Sequence, residues 1–240
     1  MQRLFICCCI SFLYLNAVSQ KTVDVDKDAG RAAGAVNYLY TVAGTPFIAT
    51  KFARVVEGSP FFKEEMMRGA IILSEGKEYK NILVRLNLLE AQVNYLDSKQ
   101  NEMIASTPIR EVVLWDTILN RDHRFIFSDY IETSQKPEKD FFELLQSGKA
   151  ELYKQHKKTV MESKPYGSAT VEQSIRTDMR YYVLLNGQWT KVKKLKDLTA
   201  VFPDKKDEIL KFMGDKKLSG DSEATYEAVV SYYNSLVNQQ

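Results

Sequence analysis

From Gly69 to Val192 the chain consists of short runs rich in Ile, Val, Leu and Tyr, broken by turn residues at intervals of about ten. A strand sends successive side chains to opposite faces, so runs of this kind bury one face each and must lie side by side to make a core. They predict an antiparallel meander. Ala70 to Ser74 and Lys77 to Lys80 flank the turn pair Glu75-Gly76, and Ile82, Val84 and Leu86 alternate with Arg85 and Asn87. Val93 and Tyr95 repeat the alternation, and Asp97 to Asn101 turn the chain into Met103 to Ala105. Pro108 can open the next strand, where Ile109, Val113 and Trp115 share a face with Glu111, a flaw that suits an edge or a twist. Asn120-Arg121-Asp122 leads into His123, Phe125 and Phe127, and Ser147-Gly148 joins Phe141–Leu145 to Ala150–Gln155. Asn186-Gly187, between Tyr181–Leu185 and Trp189–Val192, is the clearest hairpin, because both residues tolerate the positive φ of a type I′ turn.

After Lys191 the apolar period changes from two to three and four. Leu195, Leu198 and Phe202 predict a short helix ended by Pro203. Asp204 is placed to cap a second, with Ile209, Leu210 and Met213 as its stripe and Gly214 at its end. Ser222 is the N-cap expected for the last helix, whose stripe is Tyr226, Val229, Val230, Tyr233, Leu236 and Val237. The expected fold is therefore α+β, mainly β: a twisted antiparallel meander, open or closed into a barrel, with C-terminal helices packed on it.

The N-terminus carries a different signal. Arg3 precedes the apolar stretch Leu4 to Leu15, which holds all three cysteines (Cys7, Cys8, Cys9), and Ala17-Val18-Ser19 is the small-x-small pattern of signal peptidase. Cleavage is expected between Ser19 and Gln20. As a helix the stretch rises about 18 Å against a hydrocarbon core of about 30 Å, which argues against a permanent anchor. The chain thus divides into a signal peptide over 1–19, a loosely ordered segment over 20–49, an antiparallel β domain over 50–192 and a helical segment over 193–240. The expected location is outside the cytoplasm, periplasmic or extracellular, with no transmembrane span after cleavage. A mature chain without thiols has no disulfides, no cysteine nucleophile and no Cys-based zinc site.

Charge gives no direction. Without Arg3, 32 basic residues face 31 acidic ones, so no global field favours nucleic acid. Nine lysines against five acidic residues over 191–217 read as a solvated helix face. The only imidazoles, His123 and His156, fall on different predicted strands without ligand-spaced partners, so no metal site is expected. Phosphate-cradling loops and a Gly-x-Ser-x-Gly elbow are absent from the sequence, and no catalytic residue or cofactor is assigned. The carboxylate pairs Glu64-Glu65 and Asp207-Glu208 read as solvent-facing neighbours. Lys164-Pro165-Tyr166-Gly167-Ser168 is the most distinctive polar segment, a connection or a turn that presents Tyr166 outward.

Three segments, Gly76 to Asp97 (GKEYKNILVRLNLLEAQVNYLD), Ser147 to Lys158 (SGKAELYKQHKK) and the terminal Asp204–Met213 with Tyr226–Leu236, together resemble a widespread set of uncharacterised exported proteins of Bacteroidetes-type bacteria. The resemblance covers most of the chain from about residue 55. It implies an exported β-rich protein with a helical tail and carries no catalytic residues. The leading expectation is a non-enzymatic envelope protein that binds or supports an assembly, its partner an envelope protein or a hydrophobic ligand. One alternative is a carrier of a lipid or small hydrophobic molecule in a cavity lined by Val84, Val93, Tyr95 and Phe125. Another is a hydrolase with His123 or His156 beside a Ser or carboxylate in a cleft.

Overall fold

The computed structural model describes residues 22–24, 44–46, 53–135, 137–167 and 170–237. The expected signal peptide, its Ser19/Gln20 cleavage point and the three cysteines lie outside these residues, as does Ser168.

Among the described residues thirteen strands join in one sheet. They are β1 (Thr22–Asp24), β2 (Gly44–Pro46), β3 (Ala53–Glu57), β4 (Met67–Leu73), β5 (Glu78–Asn87), β6 (Gln92–Leu96), β7 (Glu102–Ala105), β8 (Ile109–Asp116), β9 (Arg121–Phe127), β10 (Phe141–Gln146), β11 (Ala150–Ser163), β12 (Val171–Leu185) and β13 (Gln188–Val192). The main path runs β13-β12-β11-β10-β9-β8-β4-β5-β6-β7-β2. The sheet does not close into a barrel. It is antiparallel apart from two additions: β1 runs parallel to β5 and β3 parallel to β12, so the sheet is mixed. Both β1 and β2 come from the segment expected to be loosely ordered.

Bulges decide which side chains reach the core. Gly69 pairs with Ile82 but Ala70 with Lys80, so Asn81, at φ +59°, is an extra residue that lets Tyr79 and Ile82 face the same way. The two runs read separately around it form one strand. A second shift, between the pairs Ile72–Glu111 and Leu73–Ile109, leaves Arg110 over. It corrects the expected face of β8. Ile109, Val112 and Leu114 are buried inward, while Val113, Trp115 and Glu111 turn outward, where Glu111 takes two hydrogen bonds from Arg124 (2.5 and 2.9 Å). Nor is β8 an edge, since β4 and β9 flank it.

One continuous face of the sheet is thereby inner. On β4 to β9 it packs on itself through Ile71, Tyr79, Val84, Tyr95, Leu114 and Phe125. On β10 to β13 it is covered by the helices α1 (Asp197–Val201), α2 (Lys206–Asp215) and α3 (Glu223–Val237), through Leu152, Val183, Leu198, Ile209 and Val230. Removing such side chains from water stabilises the fold by about 1.5–3 kcal/mol each.

The helices begin and end for local reasons. Pro203 follows α1, and the Ser222 hydroxyl accepts the Thr225 N–H at the start of α3, as the spacing predicts. Asp204 does not cap α2: it lies in a 3-10 turn (Pro203–Lys205) and instead faces the Tyr233 hydroxyl at 3.4 Å. Gly214 lies inside α2, which Lys217 stops at φ +51° while the Leu218 N–H bonds the Met213 carbonyl. Leu210 points outward from the expected stripe.

One side chain pins α3 to the sheet. Asn234 accepts the Ala150 N–H through Oδ1 (2.8 Å) and donates through Nδ2 to the Ala150 carbonyl (2.8 Å). It fits because Gly148, at φ +147°, has no Cβ; one built there would lie 2.6 Å from the Asn234 amide nitrogen. Asn234→Ala strands a buried donor and acceptor and is expected to cost about 2 kcal/mol, lowering the thermal midpoint by about 4–8 °C in a melt followed by circular dichroism.

Candidate functional site

The register of the inner face collects the chain's imidazoles. Asp116 pairs with Arg121, Leu114 with His123, Glu143 with both Phe125 and Lys154, and Lys154 with Tyr181. Cross-strand partners share a face, so Asp116, Arg121, His123, Glu143, Lys154, His156 and Tyr181 form a polar band across five strands. The band lies where the self-packed half of the sheet meets the half covered by helices.

Glu143 is its centre and is only 1% exposed. Its Oε1 lies 2.6 Å from His123 Nδ1 and its Oε2 2.7 Å from His156 Nε2. Each of those nitrogens faces a carboxylate and therefore carries a proton, which fixes the tautomer of both rings. Arg121 Nη2 stands 3.1 Å from Glu143 Oε1 and 3.6 Å from Glu223 Oε1, and Lys154 Nζ stands 2.5 Å from Glu223 Oε2 and 3.8 Å from Glu143 Oε2. Two cations thus tie the sheet carboxylate to the first turn of α3. Phe62 closes the band from above, its ring edge-on to both imidazoles at 4.8 and 5.2 Å between centroids. The Phe62 backbone is held by its N–H bond to the Leu86 carbonyl.

Burial works to raise the pKa of Glu143, but the hydrogen bonds from the two histidines and the charges of His156 and Lys154 outweigh it and hold the carboxyl well below its ordinary range. His156 moves down as well, chiefly by burial, which opposes its cation more than Glu143 favours it. Tyr181 is pushed up to about 12 by burial and by Glu223. Asp116 sits low because the Leu119 and Ile118 N–H groups bond its carboxylate. It lies 3.6 Å from His123 Nε2, a buried nitrogen with no hydrogen-bond partner among the described residues.

Both histidines stand within hydrogen-bond reach of a carboxylate, as the hydrolase reading asks, and both are buried. Cavities of about 710 Å³ (between Asn186, Gln188, Asp197 and Tyr233), 350 Å³ (beside Ile131 and Tyr153) and 230 Å³ (beside Val93 and Phe141) are lined by none of His123, Glu143 and His156. Among the described residues no group of three or more His, Cys, Asp or Glu is arranged to hold a metal ion. Val84, Val93, Tyr95 and Phe125, the lining named for a carrier, are 0–3% exposed and pack together in one core cluster. Glu64-Glu65 and Asp207-Glu208 are exposed, as are Lys191, Lys193, Lys194 and Lys196.

Past His156 the β11–β12 hairpin leaves the core. Thr159, Met161, Glu162 and Ser163 on β11 and Arg176 to Met179 on β12 are exposed, and β3 lies along the far end of β12. This three-stranded arm carries Val55, Val56, Met161 and Met179 at 43–48% exposure, with Tyr166 fully exposed at its tip. The turn at Tyr166 is legible in the sequence but the strands behind it are not, because their apolar residues (Val160, Met161, Val171, Ile175) are scattered among polar ones without sustained alternation. Glu143 was not singled out either, although a glutamate in the middle of Phe141–Leu145 at a core-facing position is a legible sign of a buried charge.

No protein family, curated protein or solved structure matches the chain. No helix among the described residues is long and apolar enough to cross a membrane.

The two shifted groups give stability a direction in pH. A lowered His156 contributes stability that is complete above its unfolded value of about 6.5 and is lost as pH falls below it. A lowered Glu143 contributes stability present above its unfolded value of about 4.3 and lost as pH falls toward its folded one. Urea midpoints should therefore decline from about pH 6.5 downward and again below about 4.3, and His156→Gln should remove the first decline. Glu143→Gln at pH 7 should cost about 3 kcal/mol in the same assay, since Lys154 and the two buried imidazole N–H groups lose their carboxylate.

Proposed function

We propose that this chain is a non-enzymatic exported protein of the cell envelope that works by binding within an assembly, and that the arm of β3, β11 and β12 is its contact element. The arm carries the reading. Beyond His156 the hairpin buries Ile175 but joins neither core cluster of the inner face, and the arm keeps Val55, Val56, Met161, Met179 and Tyr166 in water. Strands held outside a core, with exposed apolar residues, are surfaces on which another chain docks. The polar band supports the same reading from the other side, because imidazole nitrogens bonded to one buried carboxylate beneath an aromatic ring are not offered to a substrate. Export follows from the N-terminal segment and from the resemblance to exported β-rich proteins.

The hairpin part of the arm can be removed without disturbing the β11–β12 register that remains, leaving β3 without its partner strand. Lys157 pairs with Asp178, so replacing residues 158–177 by Asn-Gly closes the hairpin with a two-residue turn. The shortened chain should still fold, with a cooperative melt, but should migrate as a single chain in native gels of envelope extracts, where the wild type migrates in a larger complex. A wild type that runs alone, or a shortened chain that keeps the complex, would contradict the proposal.

A further inference from the structure

β11 is hydrogen-bonded on one side to β12 along its whole length, through Ser163. On its other side β10 pairs only with Leu152 to Gln155, and no other described strand takes over. Among the described residues, 157–163, Lys-Lys-Thr-Val-Met-Glu-Ser, therefore present a free edge of backbone donors and acceptors. Such an edge is a template for one more strand unless it is blocked.

We infer that the occupant is the same edge of a second copy of this chain, paired antiparallel about a two-fold axis at Val160. The inference rests on the reading of the arm as an assembly element and names its partner. A two-fold axis normal to the sheet keeps like faces together and sets each residue opposite one of the same face. With the axis at Val160, Lys158 stands opposite Glu162 of the second copy, twice, on the inner face. Val160 meets Val160 between these pairs. On the outer face Thr159 stands opposite Met161 and Lys157 opposite Ser163. Every charge at positions 158–162 thus finds its opposite, and the exposed Met161 gains a neighbour.

The two charges are available for this. Lys158 Nζ donates to the Thr177 hydroxyl (2.9 Å) and Glu162 accepts from the Gln173 amide (2.8 Å), and neither makes an ion pair among the described residues. Lys157 is tied to Glu138 and needs no partner across the axis. Moving the axis to Lys158 would set lysine against lysine, so the charges select the register as well as the partner. The result is one sheet running through two protomers, an isologous contact that closes on itself and does not grow into a fibre.

Charge reversal distinguishes this pairing from any other. Lys158→Glu alone sets Glu against Glu at both pairs, and Glu162→Lys alone sets Lys against Lys. Each variant by itself should dimerise about tenfold more weakly than the wild type in sedimentation equilibrium of the purified full chain. An equimolar mixture of the two should recover wild-type affinity, because both cross-axis pairs are then complementary, and so should the double variant. Damage to the fold would not be repaired by mixing. A dimer insensitive to these changes, or single variants that mixing does not rescue, would overturn this register while leaving the arm as an assembly element. A wild type that stays monomeric at every concentration, although residues 158–177 are needed for the complex in envelope extracts, would overturn self-pairing in favour of a strand from a different protein.

Discussion

A carboxylate placed in a protein interior must be compensated where it stands, and Glu143 meets that condition with two imidazole N–H groups, a guanidinium and an ammonium. These partners come from β9 and β11, and two of them extend to Glu223 on α3. The inner face of the sheet carries two cores with different covers, one formed by the sheet on itself and one by the helices, and the band crosses their boundary. Replacing it with apolar residues of equal volume could hold the cores together as tightly, but would not fix the register between β9, β10 and β11, since each polar atom has one partner at one height along the strands. The band therefore serves as a pin for position as well as a contribution to stability.

From that pin the remaining features follow in order. With β10 fixed against β11, Asn234 meets Ala150 and α3 docks at one height on the sheet. With α3 docked, Tyr226, Val229, Val230 and Tyr233 close over the inner face of β11 to β13. Beyond His156 neither inner-face core reaches β11 and β12, and among the described strands only β3 pairs with them.

Much of this is written in the sequence, and the exceptions have physical causes. Asn186-Gly187, at φ +49° and +76°, is the hairpin its composition predicts, and the spacing of α3 from Ser222 onward names its buried face. The face of β8 was misread because both parities are apolar there, and only the extra residue at Arg110, set by pairing with β4, decides which one enters the core. The arm has no apolar alternation to reveal it: Val160 and Ile175 are isolated apolar residues among polar neighbours on the face they share. His123 and His156 stand 33 positions apart in the sequence and meet only through the pairing of β9, β10 and β11. Glu143 was visible as an oddity in an apolar run, but its two partners were not.

The claim on which the account depends is that both imidazoles donate to Glu143 in a dry interior. Nitrogen-15 spectra of the histidine rings test it directly. The account predicts a protonated Nδ1 in His123 and a protonated Nε2 in His156, both ring protons observable at neutral pH because they exchange slowly with water, and both signals changed by Glu143→Gln. Ring protons lost to rapid solvent exchange in a folded wild type, or a Glu143→Gln spectrum identical to it, would contradict the account.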